Sequence, residues 1–322
     1  MVRAFDPSGP AMHAGIYGLP STPEDARVVL VPVPWEATVS YGAGAAEGPA
    51  AILAASRQVD LLDRETGRPY RDGIAMLAIP DEVRGWSGEA RAKALPVIEA
   101  GGPGDDPALR RAAAEVDALC ERMNEWVHAQ ASQWLGRGRL VGVVGGDHSV
   151  PFGAIRAVAE RHPGLGVLHF DAHADLRAAY EGLRWSHASI MYNVLQELPQ
   201  VARVVQVGVR DFGEDEDAFI REHPDRVRTY FDADLRAKLF DGESWHRLAL
   251  RMAADLPRDV FVSFDIDGLD PALCPHTGTP VLGGLSFPEA TAVLRALVET
   301  GRRIVGFDLV EVAPDPDRRS EW

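Results

Sequence analysis

Aspartate and histidine residues are concentrated in three short segments, and their spacing is typical of residues that act together. The segments read GGDHS at 145–149, FDAHAD at 170–175 and SFDIDGLDP at 263–271. Each segment follows an apolar run that predicts a buried strand. Asp171, His173 and Asp175 alternate along the chain, as do Asp265 and Asp267. Because an extended chain places alternate side chains on one face, each set can point at a single spot.

The convergence of these side chains from three strand ends creates a charge problem. The predicted set contains two histidines and four aspartates: His148, Asp171, His173, Asp175, Asp265 and Asp267. Buried like charges repel strongly, so the set needs compensation. Two divalent cations carry four positive charges and would balance the four aspartates. A mixed set of oxygen and nitrogen ligands suits Mn²⁺, with Ni²⁺, Co²⁺, Fe²⁺ and Zn²⁺ as weaker candidates. We therefore predict two Mn²⁺ ions per chain.

The composition argues against several other classes of protein. The chain has 322 residues, 46% of them hydrophobic, and a formal net charge of −15. Such an acidic chain is a poor partner for nucleic acid or an anionic membrane, and its apolar runs are too short to span a bilayer. Cys120 and Cys274 are far apart in sequence and give no disulfide framework. We therefore expect a reducing, cytoplasmic location, and no N-terminal stretch has the pattern of a signal peptide.

Short β-rich apolar runs alternate with helical patterns along the chain. We predict eight strands, at residues 28–33, 74–79, 140–144, 166–170, 204–209, 227–230, 260–264 and 304–309. Helices are predicted at residues 48–61, 107–135, 151–161, 188–197, 215–222, 244–254 and 287–300. This alternation predicts an α/β fold, a three-layer α/β/α sandwich with a central, mainly parallel sheet of about eight strands. Sites in such sheets form at the carboxyl ends of strands, where His148, Asp171 and Asp265 lie.

The chain shows no convincing domain boundary, so we expect residues 1–322 to form a single domain. Residues 1–25 are rich in proline and glycine and are expected to form an N-terminal arm. Residues 80–107 are rich in glycine, alanine and charged residues, and we expect a surface excursion there.

The three segments, in this order, resemble the ureohydrolase family of arginases, agmatinases, formimidoylglutamases and guanidino-acid hydrolases. The resemblance runs from about residue 28 to residue 315. It implies a three-layer sandwich in which two Mn²⁺ ions share a hydroxide that attacks a guanidino carbon and releases urea. It also implies two ligand sets that share Asp171 and Asp265 as bridging carboxylates. The first set adds His148 and Asp175 to these two residues, and the second adds His173 and Asp267.

Two further residues are candidate catalytic residues. His187, in SHAS at 186–189, resembles the family's histidine that protonates the leaving amine, and histidine titrates in the range that such a role needs. The alternative is an ordinary helix start with Ser186 as its N-cap. Glu311 follows the last predicted strand, and the resemblance implies that its planar carboxylate pairs with the guanidinium. The alternative is a solvated carboxylate at a strand end.

The identity of the substrate depends on residues around the metal segments. Arg177, Asp211 and Thr279 are predicted to contact substrate, although Asp211 is equally suited to a turn and Thr279 to a surface loop. The run DLR at 175–177, followed by Tyr180 and His187, resembles microbial agmatinases. Formimidoylglutamases carry a similar run, in which the arginine could pair with a carboxylate. We therefore rank agmatine, cleaved to putrescine and urea, ahead of a guanidino acid and of arginine.

A competing interpretation is a metal-binding pseudoenzyme, but such a protein would be expected to have lost a ligand, His187 or Glu311, and none is lost. The resemblance also implies a homo-oligomer, a trimer or a hexamer. The chain stops eleven residues after Glu311, whereas family members usually continue into a closing helix. We expect either that this helix is absent or that the chain is cut.

Overall fold

The computed structural model describes residues 5–315, and eight strands within them form one sheet. The strands are β1 (Val28–Pro32), β2 (Ile74–Met76), β3 (Leu140–Val144), β4 (Leu165–Phe170), β5 (Val201–Val209), β6 (Val227–Phe231), β7 (Asp259–Phe264) and β8 (Arg303–Leu309). Their order is β2-β1-β3-β8-β7-β4-β5-β6, and every neighbouring pair is parallel. All eight predicted strands are present, although β2 is shorter than expected.

Nine α-helices connect and cover the strands within the described residues. They are α1 (Gly48–Ala55), α2 (Asp81–Glu99), α3 (Pro107–Leu135), α4 (Phe152–Ala159), α5 (Ile190–Glu197), α6 (Glu214–Glu222), α7 (Asp232–Phe240), α8 (Trp245–Ala254) and α9 (Phe287–Glu299). Parallel strands need such crossover connections, because a tight turn can join only antiparallel neighbours. None of these helices combines the length and apolar character needed to cross a membrane.

The sheet separates two apolar cores, which confirms the predicted three layers. In β4, Leu165 and Val167 belong to a core shared with α2, α3, α4 and α5. Leu168 and Phe170, on the same strand, belong to a second core shared with α7, α8 and α9. Successive side chains of a strand point to opposite faces, so one strand serves both cores. Buried on both sides, β4 has no exposed residue along its length.

The expectation about the segment between β2 and β3 is corrected. Residues 80–107 are not a surface excursion, because 81–99 form α2, which buries Val83, Ala90, Ala94 and Val97 in the first core. Those alanines recur at helical spacing, but they lie among charged residues and glycines that obscure the apolar stripe.

Part of the proline-rich start of the chain packs against the sheet, so it is not a free arm. Within the described residues of the predicted 1–25 segment, Ile16 is buried and packs with Leu30 of β1 and Val144 of β3. Residues 1–4 lie outside the described part. Among the helices, α1 ends earlier than predicted, at Ala55 before a short 3₁₀ turn, and α7 was not predicted.

Candidate metal and substrate site

Four neighbouring strands deliver the predicted site residues to one edge of the sheet. In spatial order these are β3, β8, β7 and β4, and in a parallel sheet their carboxyl ends lie together. Asp171 directly follows β4, Asp265 directly follows β7, and Glu311 comes two residues after β8. His148 lies four residues beyond the end of β3. Segments that are more than a hundred residues apart in sequence therefore meet in one place.

Three carboxylates surround one ring nitrogen of His148. The Nδ1 atom of His148 lies 2.9 Å from Oδ2 of Asp171, 3.1 Å from Oδ2 of Asp175 and 3.3 Å from Oδ2 of Asp265. All four side chains are buried. The backbone of Asp175 has a φ of 53°, in the left-handed region that costs a non-glycine residue of order 1–3 kcal/mol. This turn returns the chain so that Asp175 faces the same spot as Asp171.

A second cluster lies beside the first and shares Asp171 with it. The Nδ1 atom of His173 is 3.3 Å from Oδ1 of Asp171 and 3.1 Å from Oδ2 of Asp267. Asp171 thus presents one oxygen to His148 and the other to His173. Such a carboxylate is positioned to link two neighbouring centres.

The remaining nitrogen of His148 is held on the opposite side of its ring. Its Nε2 atom lies 2.9 Å from Oγ of Ser263, the penultimate residue of β7. When Nε2–H donates to this hydroxyl, the lone pair of Nδ1 faces the carboxylates. A partner of this kind on the far nitrogen is what orients histidines that bind metals.

The pKa shifts of the side chains in the two clusters show how strongly these side chains interact. Burial alone would lower the pKa of His173, but hydrogen bonds with Asp171 and Asp267 raise it to about 12. Burial raises the pKa of Asp175 to about 7, and the charge of Asp171 adds to that effect. Burial, Asp267 and Asp171 raise the pKa of Asp265 well above its usual value. These shifts show that positive charge next to the carboxylates, from protons or from a cation, is strongly favoured.

The donor atoms of both clusters fit a pair of divalent cations. Each cluster combines a ring nitrogen with carboxylate oxygens. The ligand atoms of His148, Asp171 and Asp175 lie close enough to touch a common ion, as do those of Asp171, His173 and Asp267. Asp265 adds an oxygen 3.3 Å from Nδ1 of His148. Oxygen and imidazole donors suit manganese and its first-row neighbours. A cation at each cluster would take over the role of the protons, so the donor chemistry and the charge agree.

Glu311 is buried beside His148 in a strained backbone conformation. Its φ is 62°, and its Oε1 atom accepts a hydrogen bond of 2.8 Å from the backbone N–H of His148. Burial and the nearby charge of Asp147 raise the pKa of Glu311 well above its usual range. A Cβ atom at Gly278 would lie 3.3 Å from Oε2 of Glu311, so a glycine there leaves room for the carboxylate. Glu311 also lines the cavity described next.

A cavity of about 290 Å³ opens above both clusters. Its walls include His148, His173, Asp175, Asp265, His187, Glu311, Arg177, Tyr180, Asp211, Glu216, Thr279 and Tyr41. All the predicted catalytic and substrate-binding residues line it, together with four of the six predicted metal ligands. Asp171 and Asp267 lie beneath its floor, buried within the clusters.

His187 is held by Thr38, a residue that the sequence did not single out. The backbone N–H of His187 donates to Oγ1 of Thr38 at 3.1 Å, and the same oxygen lies 2.9 Å from Nδ1 of the ring. The Thr38 hydroxyl can donate to Nδ1 or accept from it, according to the tautomer of the ring. Burial, followed by the charges of His173 and His148, lowers the pKa of His187 to about 3, so the ring rests neutral. Ser186 caps the turn by accepting from the N–H of Ala188, so the predicted N-cap is also present.

The rim of the cavity carries charges of both signs. Nε of Arg177 lies 3.4 Å from Oε2 of the buried Glu216, and its guanidinium stacks over the ring of Tyr180 at 5.0 Å. Asp211 is exposed and has no ion-pair partner among residues 5–315. The hydroxyl of Thr279 lies 3.4 Å from Oδ2 of Asp267. Arg177 is therefore partly neutralised, whereas Asp211 is not.

Three residues near the clusters serve other parts of the protein. The guanidinium of Arg210 does not point into the cavity as a free cation, because it donates to backbone carbonyls of Gly208, Asp267, Leu269 and Val281. Asp147 does not orient His148, because its Oδ1 atom accepts from Ser149. Gly146 makes room for the loop after β1 rather than for the cluster, since a Cβ there would lie 1.7 Å from the carbonyl oxygen of Trp35.

Sequence reasoning also missed His169, which lies on β4 two residues before Asp171. Its Nε2 atom is 2.8 Å from Oδ2 of Asp171, and burial lowers the pKa of its ring. A histidine and a serine among the valines of two buried strands are unusual, because buried polar groups need partners. That anomaly was the available signal for His169 and Ser263. Thr38 gave no comparable signal.

Comparison with known proteins places the chain in one family. The sequence model of the arginase family matches residues 26–321. The chain belongs to the arginase family and is a metal-dependent amidinohydrolase of the ureohydrolase type.

Relatives within this family are named for different substrates. The chain is 32% identical to N(1)-aminopropylagmatine ureohydrolase of Thermus thermophilus, over 95% of this chain and 89% of that protein. It is 32% identical to guanidinopropionase of Pseudomonas aeruginosa, over 92% and 81%. The solved structure of proclavaminate amidino hydrolase from Streptomyces clavuligerus matches with a TM-score of 0.68 and 28% identity, covering 95% of this chain and 90% of that chain. The reaction class is therefore common to these relatives, whereas their names do not single out one substrate.

Proposed function

We propose that this protein hydrolyses a guanidino compound that ends in an amine, with agmatine as the favoured substrate, to give urea and a primary amine. The observation that carries this proposal is the pair of His/Asp clusters sharing Asp171 beneath a cavity that Glu311 also lines. The carboxyl edge of the sheet thus combines a place for two cations with a carboxylate that can pair with a guanidinium.

The first cation would be held by Nδ1 of His148 and by the carboxylates of Asp171, Asp175 and Asp265. The second would be held by Nδ1 of His173 with Asp171, Asp265 and Asp267, and Mn²⁺ suits both donor sets. When bound, two such cations lower the pKa of a water molecule and make hydroxide accessible at neutral pH. The distances from His148 to Asp171, Asp175 and Asp265, and from His173 to Asp171 and Asp267, support these assignments. The place of Asp265 in the second set rests on the resemblance to the family.

Glu311 would position the guanidinium. A carboxylate and a guanidinium are both planar and can form two parallel hydrogen bonds. One oxygen of Glu311 is already held by the backbone N–H of His148, which ties the carboxylate to the residue that begins the first cluster. Because Glu311 is buried, its pairing with a cation is strengthened by the low local dielectric. The substrate carbon is thereby held at the base of the cavity.

His187 would take up a proton at Nε2 from water in the cavity and pass it to the departing nitrogen. Its ring lines the cavity, and the Thr38 hydroxyl holds Nδ1, which leaves Nε2 as the nitrogen available to substrate. For Nε2 to gain and then lose this proton, Nδ1 must carry hydrogen, and the Thr38 hydroxyl can accept from Nδ1–H in both states. The same contact therefore supports His187 before and after proton transfer.

The balance of charge at the rim supports an amine at the far end of the substrate. Arg177 is offset by Glu216, while the exposed carboxylate of Asp211 has no cationic partner within the described residues. An ammonium group of the substrate near Asp211 would supply the missing positive charge. Two nearby carboxylates, those of Glu181 and Glu214, are not among the described residues that line the cavity.

A guanidino acid is the second candidate, and one observation favours it. The terminal nitrogens of Arg177 have no hydrogen-bond acceptor within residues 5–315, although the residue lines the cavity. A carboxylate at the end of the substrate could use them. Arginine, which carries both an ammonium and a carboxylate, is the third candidate. We further propose a cytoplasmic location, which the free cysteines Cys120 and Cys274 support. On the resemblance alone we propose a homo-oligomer, a trimer or a hexamer.

Product analysis with Mn²⁺-loaded protein tests the proposal. We expect urea from agmatine with a specificity constant at least tenfold above those for 4-guanidinobutyrate, arginine and formimidoylglutamate, for which formamide is measured instead of urea. A tenfold preference corresponds to about 1.4 kcal/mol in transition-state binding. A carboxylate-bearing compound that wins by this margin would replace agmatine and make Arg177 the first residue to mutate. No hydrolysis of any compound would contradict the proposed reaction.

A further inference from the structure

A row of polar residues crosses the sheet directly beneath the two clusters. His169 on β4 is in register with Gln206 on β5 and with Ser263 on β7, and Gln206 is in register with Thr229 on β6. Parallel neighbours in register point to the same face of a sheet. His169, Gln206 and Ser263 are completely buried, so their polar atoms need partners within the protein.

The hydrogen bonds of this row have only one consistent direction. One amide atom of Gln206 lies 2.6 Å from the carbonyl oxygen of Ala174, and a carbonyl can only accept, so this atom is the nitrogen Nε2. The same nitrogen lies 3.0 Å from Nδ1 of His169 and donates to it. The other amide atom, Oε1, accepts from the hydroxyl of Thr229 at 2.8 Å. The orientation of the Gln206 amide is thereby fixed from both ends.

This direction determines which nitrogen of His169 carries hydrogen. Since Nδ1 accepts from Gln206, a neutral ring has its hydrogen on Nε2, which donates to Oδ2 of Asp171 at 2.8 Å. A ring nitrogen that carries hydrogen has no lone pair for a metal. His169 is close enough to His148, Asp171 and Asp175 to be counted with them as a possible ligand. The hydrogen-bond pattern argues against that role.

We propose that His169 is a positioning residue that orients the shared carboxylate of Asp171, and that Gln206 and Thr229 fix its tautomer. Asp171 gives one oxygen to each cluster, so a rotation of its carboxylate changes both donor sets together. The contact from His169 holds Oδ2 on the side of His148. This inference rests on the proposed two-cation centre and extends it across three strands.

Two replacements of His169 separate the positioning role from a ligand role. His169→Gln retains an N–H that can reach Asp171, whereas His169→Leu removes it. We expect His169→Gln to bind two Mn²⁺ ions with an affinity within a fewfold of the unmodified protein. Removal of a partner to a metal ligand typically weakens binding 10–100-fold, so His169→Leu should lose affinity by about this factor and still reach two ions at saturation. His162→Gln is the matched control, because His162 is hydrogen bonded to Asp259 and does not line the cavity.

The readouts are Mn²⁺ stoichiometry and affinity by titration, and the exchange coupling between the two ions by electron paramagnetic resonance. A shifted coupling in His169→Leu with normal coupling in His169→Gln supports the proposal, since the coupling passes through the bridging groups. Loss of one ion from His169→Gln at saturating Mn²⁺ would show that His169 is a ligand and overturn it.

Nitrogen NMR of histidine-labelled protein gives an answer even if His169→Leu does not fold. The His169 signal, assigned by its loss in His169→Gln, should show hydrogen on Nε2 and none on Nδ1 in the metal-free protein. The same tautomer should persist in the Zn²⁺-loaded protein, since Zn²⁺ is diamagnetic. Hydrogen on Nδ1, or loss of hydrogen from Nε2 on loading, would refute the inference. If the unmodified protein binds no second ion, the proposed centre fails instead, while the metal-free spectrum still tests His169.

Discussion

Replacing Thr38 by valine removes one hydroxyl from beneath the proposed proton donor and almost nothing else. Valine has the shape of threonine, and Thr38 is buried, so the change leaves no large cavity. The backbone N–H of His187 loses its acceptor at 3.1 Å, and the ring loses its contact at 2.9 Å. An unsatisfied buried donor costs about 1–3 kcal/mol, so we expect the free energy of unfolding to fall by about this amount.

The expected loss of turnover depends on the hydrogen bond between Thr38 and the protonated ring of His187. A hydrogen bond to a charged group contributes about 1.5–3 kcal/mol, and Thr38 would make one to His187 when the ring carries its second proton. Each 1.36 kcal/mol is a factor of ten, so kcat should fall about 10- to 100-fold. The Michaelis constant should change little, because Thr38 is not among the residues that line the cavity.

Steady-state kinetics with three variants test this reasoning. Thr38→Ser retains the hydroxyl and should retain most of the turnover. In a His187→Ala background, adding Thr38→Val should have no further effect on kcat, because the contact acts only through that histidine. Equal losses in Thr38→Ser and Thr38→Val, or full turnover in Thr38→Val, would refute the reasoning.

Three other predictions concern the same cavity. His187→Ala should reduce turnover by about 10²–10⁴-fold while metal analysis still finds two ions, and near-normal turnover would assign His187 to structure. Glu311→Gln removes the charge that pairs with the guanidinium and should lower kcat/KM by about 10- to 100-fold, whereas unchanged kinetics would remove Glu311 from the substrate site. Mn²⁺ binding should release protons, and the affinity for Mn²⁺ should rise by about tenfold per pH unit for each proton released. The reason is that contacts with Asp171 and Asp267 outweigh the effect of burial and raise the pKa of metal-free His173 to about 12. Calorimetry in buffers of different ionisation enthalpy measures this release, and pH-independent affinity would contradict it.

Much of the fold follows from local patterns in the sequence. Every strand of the sheet is a short β-rich run, and strands such as β4 are apolar on both faces because both faces are covered. Helices such as α3 have strong periodicity and a cap at Asp106, whose side chain accepts from Ala108 and Leu109. By contrast, α2 buries mainly alanine and valine, so its stripe is weak, and α7 is short and has little apolar periodicity.

The convergence of the six predicted ligands could also be anticipated, because each follows a strand of a parallel sheet. The residues that form hydrogen bonds with these ligands could not be anticipated. Ser263 meets His148 only because β7 and β8 separate β3 from β4, and that strand order is a property of the whole fold. Thr38 and His187 are 149 residues apart in sequence. The directions of the Arg177 and Arg210 guanidinium groups likewise depend on acceptors elsewhere in the fold, on α6 for Arg177 and at Asp267 for Arg210.

The most direct test of the dinuclear amidinohydrolase is a Mn²⁺ titration of metal-free protein in which bound metal and urea release from agmatine are measured at each addition. Asp171→Asn, which keeps the shape but removes the shared charge, is the matched variant. The account predicts saturation at two ions per chain, activity that rises as the second ion binds, and loss of both the second ion and the activity in Asp171→Asn. Full activity with a single ion, or two bound ions without hydrolysis of any guanidino compound, would contradict it.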